Sequence, residues 1–146
     1  MHVIRPATIN DEEAVYLLST KLSQKFEIKR QAFSVAFAQL MQAEDVYLHV
    51  VVSSEHVIAY LLGWTRIAFY SNGPVGWVQE IVVDTKYRRR QLGRLLMDHF
   101  ESWSADRGAV LVSLATRGAS EFYLALGYRD SATYYKKTIE PNRSLG

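Results

Sequence analysis

The sequence predicts a mixed α/β (α+β) fold: one domain over residues 1–146, with a central mixed, mostly antiparallel sheet flanked by helices. The predicted order is β-α-α-β-β-β-α-β-α-β. Three observations carry this. Runs rich in β-branched residues follow one another between Val46 and Val83. Apolar residues recur at helical spacing on either side of that block. Asn72-Gly73, the strongest short-range turn signal in the chain, joins two of the runs as a hairpin.

Taken in order, His2 to Arg5 reads as a short strand stopped by Pro6. Asn10 is suited to cap a helix, with Asp11, Glu12 and Glu13 in the first turn, where the helix dipole favours anions. Val15, Leu18 and Leu22 continue it at helical spacing. A second helix is expected from Arg30 to Gln42, with a stripe of Phe33, Phe37, Leu40 and Met41. Val46–Val52, Val57–Phe69 and Val75–Val83 read as three successive strands, an antiparallel meander. A helix over Leu92–Asp106 presents Leu92, Leu96, Phe100 and Trp103 on one face, and Gly108 ends it. A strand at Val110–Ala115, a short helix at Ala119–Leu126 ended by Gly127, and a last strand at Thr133–Ile139 complete the order. The later β-α-β stretch implies one parallel pair.

The bulk numbers bound the function. At 146 residues the chain fits one domain with a real core. It has no cysteine, which excludes disulfides, zinc-thiolate sites and a cysteine nucleophile and fits a reducing compartment. The first residues carry no apolar core of signal-peptide length. The most apolar stretch, Val57–Trp64, is too short to span a bilayer as a helix, so the chain reads as soluble and cytoplasmic, with no membrane partner.

Net charge is only +2, which argues against nucleic acid as a partner. Lys86, Arg88, Arg89, Arg90 and Arg94 nevertheless fall within nine residues. From charge alone the run is either an anion site or a solvated basic face. His49, His56 and His99 show no metal-ligand spacing, and no metal is expected. Ser113 and Ser120 lack the context of a nucleophile elbow.

The chemistry concentrates between Val78 and Leu96. The order is strand, short basic loop, helix, and a loop entering a helix N-terminus offers unpaired N–H groups and a positive dipole end to a phosphate. Gly93 lets the backbone approach such a ligand, and the arginines add charge-assisted hydrogen bonds.

This segment resembles the phosphate loop of the GNAT acetyltransferase superfamily, which reads Arg or Gln, two residues, Gly, one residue, Gly or Ala. Arg88 fills the first position, Gly93 the last, and Gln91 stands where the first glycine is usual. Glucosamine-phosphate acetyltransferases within the superfamily also carry glutamine there. Ala119-Ser120-Glu121-Phe122-Tyr123-Leu124-Ala125-Leu126-Gly127-Tyr128 is similar to the family's second signature, A-x-x-F-Y-x-x-L-G-F. Tyr134-Tyr135-Lys136-Lys137 resembles its last strand.

The resemblance implies acetyl-CoA as co-substrate and N-acetyl transfer to a primary amine of a small molecule, by direct attack in a ternary complex. It implies that Ile81, Val82 and Val83 pair with the pantetheine arm, with a backbone N–H near Val82 polarising the thioester carbonyl. Arg88, Arg89, Arg90, Gln91, Leu92, Gly93 and Arg94 then hold the phosphates, and Thr116, where the family often has Asn, adds a cofactor contact. Glu80 is the candidate base and Tyr123 the candidate acid for the departing thiolate. Each has a plainer reading: Glu80 as a solvated strand residue, Tyr123 as a core aromatic. Acceptor contacts are expected from Leu22–Gln42 and the Arg66–Val78 hairpin, with Lys25, Lys29 and Arg30 favouring an anionic group. A protein amine as acceptor, a domain that binds acyl-CoA without catalysis, and a homodimer all remain compatible with the sequence.

Overall fold

The computed structural model describes residues 2–22, 27–88 and 91–140. Five strands form one sheet in sequence order: β1 (His2–Pro6), β2 (Val46–Ser53), β3 (His56–Ala68), β4 (Gly73–Val83) and β5 (Leu111–Leu114). All pairs are antiparallel except β4 and β5, which run parallel. Helices α1 (Glu12–Ser19) and α2 (Arg30–Gln42) precede the meander; α3 (Leu92–Asp106) and α4 (Ser120–Ala125) follow it. Among the described residues no helix is long and apolar enough to cross a membrane.

Strand alternation divides the core into two layers. Tyr47, Val51, Ala59 and Leu61 pack with Leu92, Leu96, Met97 and Phe100 of α3. Leu48, Val50, Tyr60, Leu62 and Val82 pack on the other face with Val15 and Leu18 of α1 and Phe37 of α2. Gly63 permits the close seating of α3. A Cβ there would meet both Phe100 Cε1 and the Trp77 carbonyl oxygen at 2.7 Å.

Several expectations are corrected. Asn10 caps nothing: a short turn at Ile9–Asp11 comes first, and Asp11 accepts the Thr8 N–H at 2.7 Å while binding Arg5 at 2.7 Å. The buried Asp11 serves better there than Asn10, because a guanidinium compensates its charge. α1 ends at Ser19, so Leu22 leaves the stripe and is exposed. The hairpin expected at Asn72-Gly73 does form. Ala68 pairs with Gly73 across a four-residue loop, in which Asn72 alone takes a left-handed φ of 58°. The tight turn is Ser54-Glu55, with φ of 49° and 68°, closing Ser53 on His56.

The last predicted strand does not form. Residues 129–138 carry no regular structure and are exposed, and β5 remains the sheet edge. The segment does not join β5: its start stands across a cleft from that strand.

Candidate active site

β4 is the element that opens the site. Leu62 pairs with Glu80 but Gly63 with Val78, so Gln79 is an extra, unpaired residue, a β-bulge. On the other edge of β4, pairing with β5 covers Val75–Val78 and stops. From the bulge onward β4 keeps β3 on one side and, among the described residues, has no strand on the other. The result is a slot beside Gln79–Val83, past the point where β5 ends at Leu114.

The register decides which backbone groups face that slot. Asp84 donates its N–H to the Ile58 carbonyl at 2.8 Å, and pairing continues through Tyr60/Val82 and Leu62/Glu80. In an antiparallel ladder, inward-bonding residues alternate with outward-facing ones. Glu80 and Val82 therefore turn their backbones to β3. Ile81 and Val83 turn theirs to the slot. The backbone N–H groups near Val82 that face the slot are therefore those of Ile81 and Val83.

Side chains alternate as well. Val82 joins the layer under α1 and α2, and Glu80 lies on that face. The half-buried Glu80 accepts the Tyr60 hydroxyl at 2.8 Å on Oε1. Burial raises the Glu80 pKa, and the hydrogen bond from Tyr60 pulls against that shift. Tyr123 lies on the opposite layer, 8% exposed, with its ring edge-on to Phe122 and Tyr128. Burial raises its pKa too, so it stays a proton donor at neutral pH. The two candidate catalytic residues thus flank the slot from opposite faces of the sheet.

Past Val83, Asp84 accepts the Lys86 N–H at 3.0 Å and folds Thr85–Tyr87 into a turn. Gln91 enters α3 with φ 64°, a left-handed conformation that explains why glycine suits this position. No side chain caps α3, so its first N–H groups are left for another partner. They open on a cavity of about 310 Å³ lined by Val83, Tyr87, Arg88, Gln91, Leu92, Gly93, Arg94 and Phe122. A Cβ on Gly93 would stand 3.1 Å from Phe122 Cζ, so the glycine brings α4 against the first turn of α3.

Arg88 and Arg94 are exposed at the rim of this cavity; Arg89 and Arg90 lie outside the described residues. Thr116 is exposed and accepts the Ala119 N–H at 3.2 Å on Oγ1, which ties it to the turn into α4. Arg30 is engaged by Glu12 at 2.7 Å and lies over the Tyr16 ring, so its charge is matched within α1. Lys25 lies outside the described residues. Two residues the sequence did not single out join the site: Phe122, quoted within a signature, and Tyr60, which reads as one more aromatic in an apolar strand.

An uncapped helix end, a bulge-splayed strand and a glycine-tightened cavity form a continuous surface for a long, anionic ligand. A sequence model described as the acetyltransferase (GNAT) family matches residues 13–128, most of the chain. The chain belongs to that family. As a GNAT protein it is an acetyl-CoA-dependent acetyltransferase.

Solved structures agree on the fold. Glucosamine-6-phosphate N-acetyltransferase from Arabidopsis thaliana is 20% identical, with 96% of this chain and 99% of that one covered at a TM-score of 0.83. A transcriptional regulator from Bacillus halodurans is also 20% identical, with 95% and 100% covered at a TM-score of 0.85. An aminoglycoside 6'-N-acetyltransferase from Acinetobacter haemolyticus, again 20% identical, covers 94% and 99% at 0.78. At that identity this acetyltransferase shares their architecture, and the acceptor must be argued from its own site.

Proposed function

We propose that residues 1–146 form one cytoplasmic N-acetyltransferase domain that moves the acetyl group of acetyl-CoA to the primary amine of a small molecule. The observation that carries this is the slot beside Gln79–Val83, continuous with the uncapped end of α3. Leu92, Gly93 and Arg94 offer backbone N–H groups to the pyrophosphate, with Arg88 and Arg94 adding charge. Arg89 and Arg90 continue the basic run, and Gln91 shapes the entry to the helix. Ile81 and Val83 offer main-chain hydrogen bonds to the pantetheine arm, as a sheet edge does to an added strand. Thr116 holds the turn that seats α4.

Acetyl-CoA supplies the activated thioester, and the remaining work falls to the protein. Glu80 takes a proton from the ammonium of the acceptor, directly or through water, and frees the nitrogen lone pair. A backbone N–H of the slot stabilises the developing oxyanion. Tyr123 gives its proton to the leaving sulfur, and the second proton, shed by the former amine nitrogen as the amide forms, restores the Tyr123 hydroxyl. No acyl-enzyme forms. A small acceptor is favoured because Tyr60, which orients Glu80, is 1% exposed beneath α1 and α2 rather than on an open groove. The absence of cysteine supports the reducing compartment.

The test is a thiol-release assay with acetyl-CoA against a panel of amino sugars, polyamines and aminoglycosides, with lysine-containing peptides alongside. Release driven by a small amine supports the reading. Release driven by peptides alone, or binding of acetyl-CoA with no release on any amine, overturns it.

A further inference from the structure

Side chains alternate along β3, so Tyr60, Leu62, Trp64 and Arg66 share one face of the sheet, while Leu61 and Gly63 look to α3 on the other. The layer under α1 and α2 takes in Tyr60 and Leu62 and stops short of Trp64. Trp77 is the cross-strand partner of Trp64, as Glu80 is of Leu62. The two tryptophans therefore lie side by side on the face of Glu80, two residues further along, roughly 7 Å at the rise of a strand.

Both indoles are half-buried, yet neither belongs to either core layer. Each is held by a polar group instead. Trp77 donates its indole N–H to Gln79 Oε1 at 2.8 Å, and the Arg66 guanidinium carbon lies 4.6 Å from the centroid of the Trp64 ring. Gln79 is the bulge residue, so the irregularity that opens the slot also fixes a ring beside it. Trp77 lines the cleft that reaches Tyr123, which brings the indole pair near both candidate catalytic residues.

The charges on this face are few and of opposite sign. Glu80 is the single acidic residue of α2, β3 and β4. Arg66 is exposed and, among the described residues, forms no ion pair, whereas Arg30 is matched by Glu12. A guanidinium that rests on an indole keeps its N–H fork for a carboxylate or phosphate. A second cation on the same platform would meet the charge of Arg66.

We propose that Trp64, Trp77 and Arg66 form a subsite for the anionic end of a zwitterionic acceptor. Its amine sits at Glu80, its ring or other apolar body rests on the indoles, and its carboxylate or phosphate is bound by Arg66. This rests on the reading of Glu80 as the base of an N-acetyltransferase. It separates the acceptor from polyamines and other polycations.

The test uses rigid acceptors with one primary amine in common: benzylamine, 4-(aminomethyl)benzoate, 4-(aminomethyl)phenylphosphonate and the dication 4-(aminomethyl)benzylamine. Thiol release gives kcat/KM, and calorimetry in the presence of CoA gives binding. The better of the two anionic amines should exceed benzylamine by roughly 10- to 100-fold, the worth of a hydrogen-bonded charge pair, and the better one tells carboxylate from phosphate. Arg66→Ala should bring that ratio close to one, and Arg66→Glu should turn the preference to the dication. Equal kcat/KM for benzylamine and both anionic amines overturns the subsite and leaves the transferase reading standing. So does a preference that survives Arg66→Ala. Binding that depends on the anion and on Arg66, without thiol release, supports the subsite and overturns the transferase reading. Neither binding nor release with any of the four overturns the proposal.

Discussion

The Tyr60 hydroxyl donates to Glu80 Oε1 at 2.8 Å from the neighbouring strand, and both groups sit in the layer covered by α1 and α2. Burial raises the Glu80 pKa, and this hydrogen bond, which favours the carboxylate, restrains the rise. The pair sets where the base becomes active.

Removing the hydroxyl should therefore move the acid limb of kcat/KM. A hydrogen bond to a charged group contributes about 1.5–3 kcal/mol, so Tyr60→Phe should shift that limb upward by about one to two pH units. Glu80→Gln should lower kcat/KM by roughly 10²–10⁴-fold and abolish the limb. The check is a pH–rate profile with one acceptor throughout, so that the amine's own titration cancels. An unmoved limb in Tyr60→Phe would show that Glu80 is not the group being titrated.

Tyr123→Phe should reduce kcat at saturating acetyl-CoA by about 10²-fold, the lower end of acid–base contributions. The ring contacts with Phe122 and Tyr128 survive in this variant, so acetyl-CoA affinity should hold. Calorimetric binding beside steady-state rates separates the two. Equal loss of binding and turnover would make Tyr123 a packing residue.

Gln91 carries a left-handed φ of 64° at the entry to α3. That conformation costs an ordinary residue roughly 1–2 kcal/mol, against about 0.5–1 kcal/mol of extra chain entropy for glycine. Gln91→Gly should thus leave stability unchanged or raise it by up to about 1 kcal/mol, with acetyl-CoA binding retained. Gly93→Val should instead crowd Phe122 and the cavity and abolish binding. Denaturant unfolding and a binding titration on both variants check the contrast.

How much of this was legible in the sequence follows from what each feature depends on. The loop from Arg88 to Gly93 was readable because a phosphate site needs particular residues at fixed spacing. The α3 face was readable because Leu92, Leu96 and Phe100 obey one period. The bulge at Gln79 was not, since neither glycine nor proline marks it, and it decides that Ile81 and Val83 face the slot. Tyr60 gave no signal because its role exists only across the β3–β4 register. Asp11 rather than Asn10 fixes the helix start, accepting the Thr8 N–H and held by Arg5 from a separate element. The strand expected at Thr133–Ile139 has the right residues, but its start stands across a cleft from β5.

His49 gives a pH prediction independent of catalysis. Its ring stacks on Tyr47 at 3.9 Å and lies 5.1 Å from the His99 ring; its Nδ1 is buried without a partner. Desolvation first, then the charge of His99, lowers its pKa to about 4, against an ordinary value of 6.5. The unfolded chain therefore binds the proton first as pH falls. Stability should drop from about pH 6.5 downward and level off near 4. Glu80, with its raised pKa, acts in the opposite sense, so the comparison with His49→Phe isolates the histidine. That variant should flatten the slope in urea unfolding between pH 7.5 and 4.5. An unchanged slope would remove His49 as its source.

Thermal unfolding of the full chain with acetyl-CoA, and with ATP as an anion control, tests the cofactor slot most directly. Ligand at about 100 times its dissociation constant adds roughly 2.7 kcal/mol, a rise of several degrees for a domain of this size. The slot beside Ile81 and Val83 predicts that rise with acetyl-CoA and little with ATP. An equal rise with both would reduce the site to a phosphate cradle, and no rise at millimolar acetyl-CoA would contradict the account.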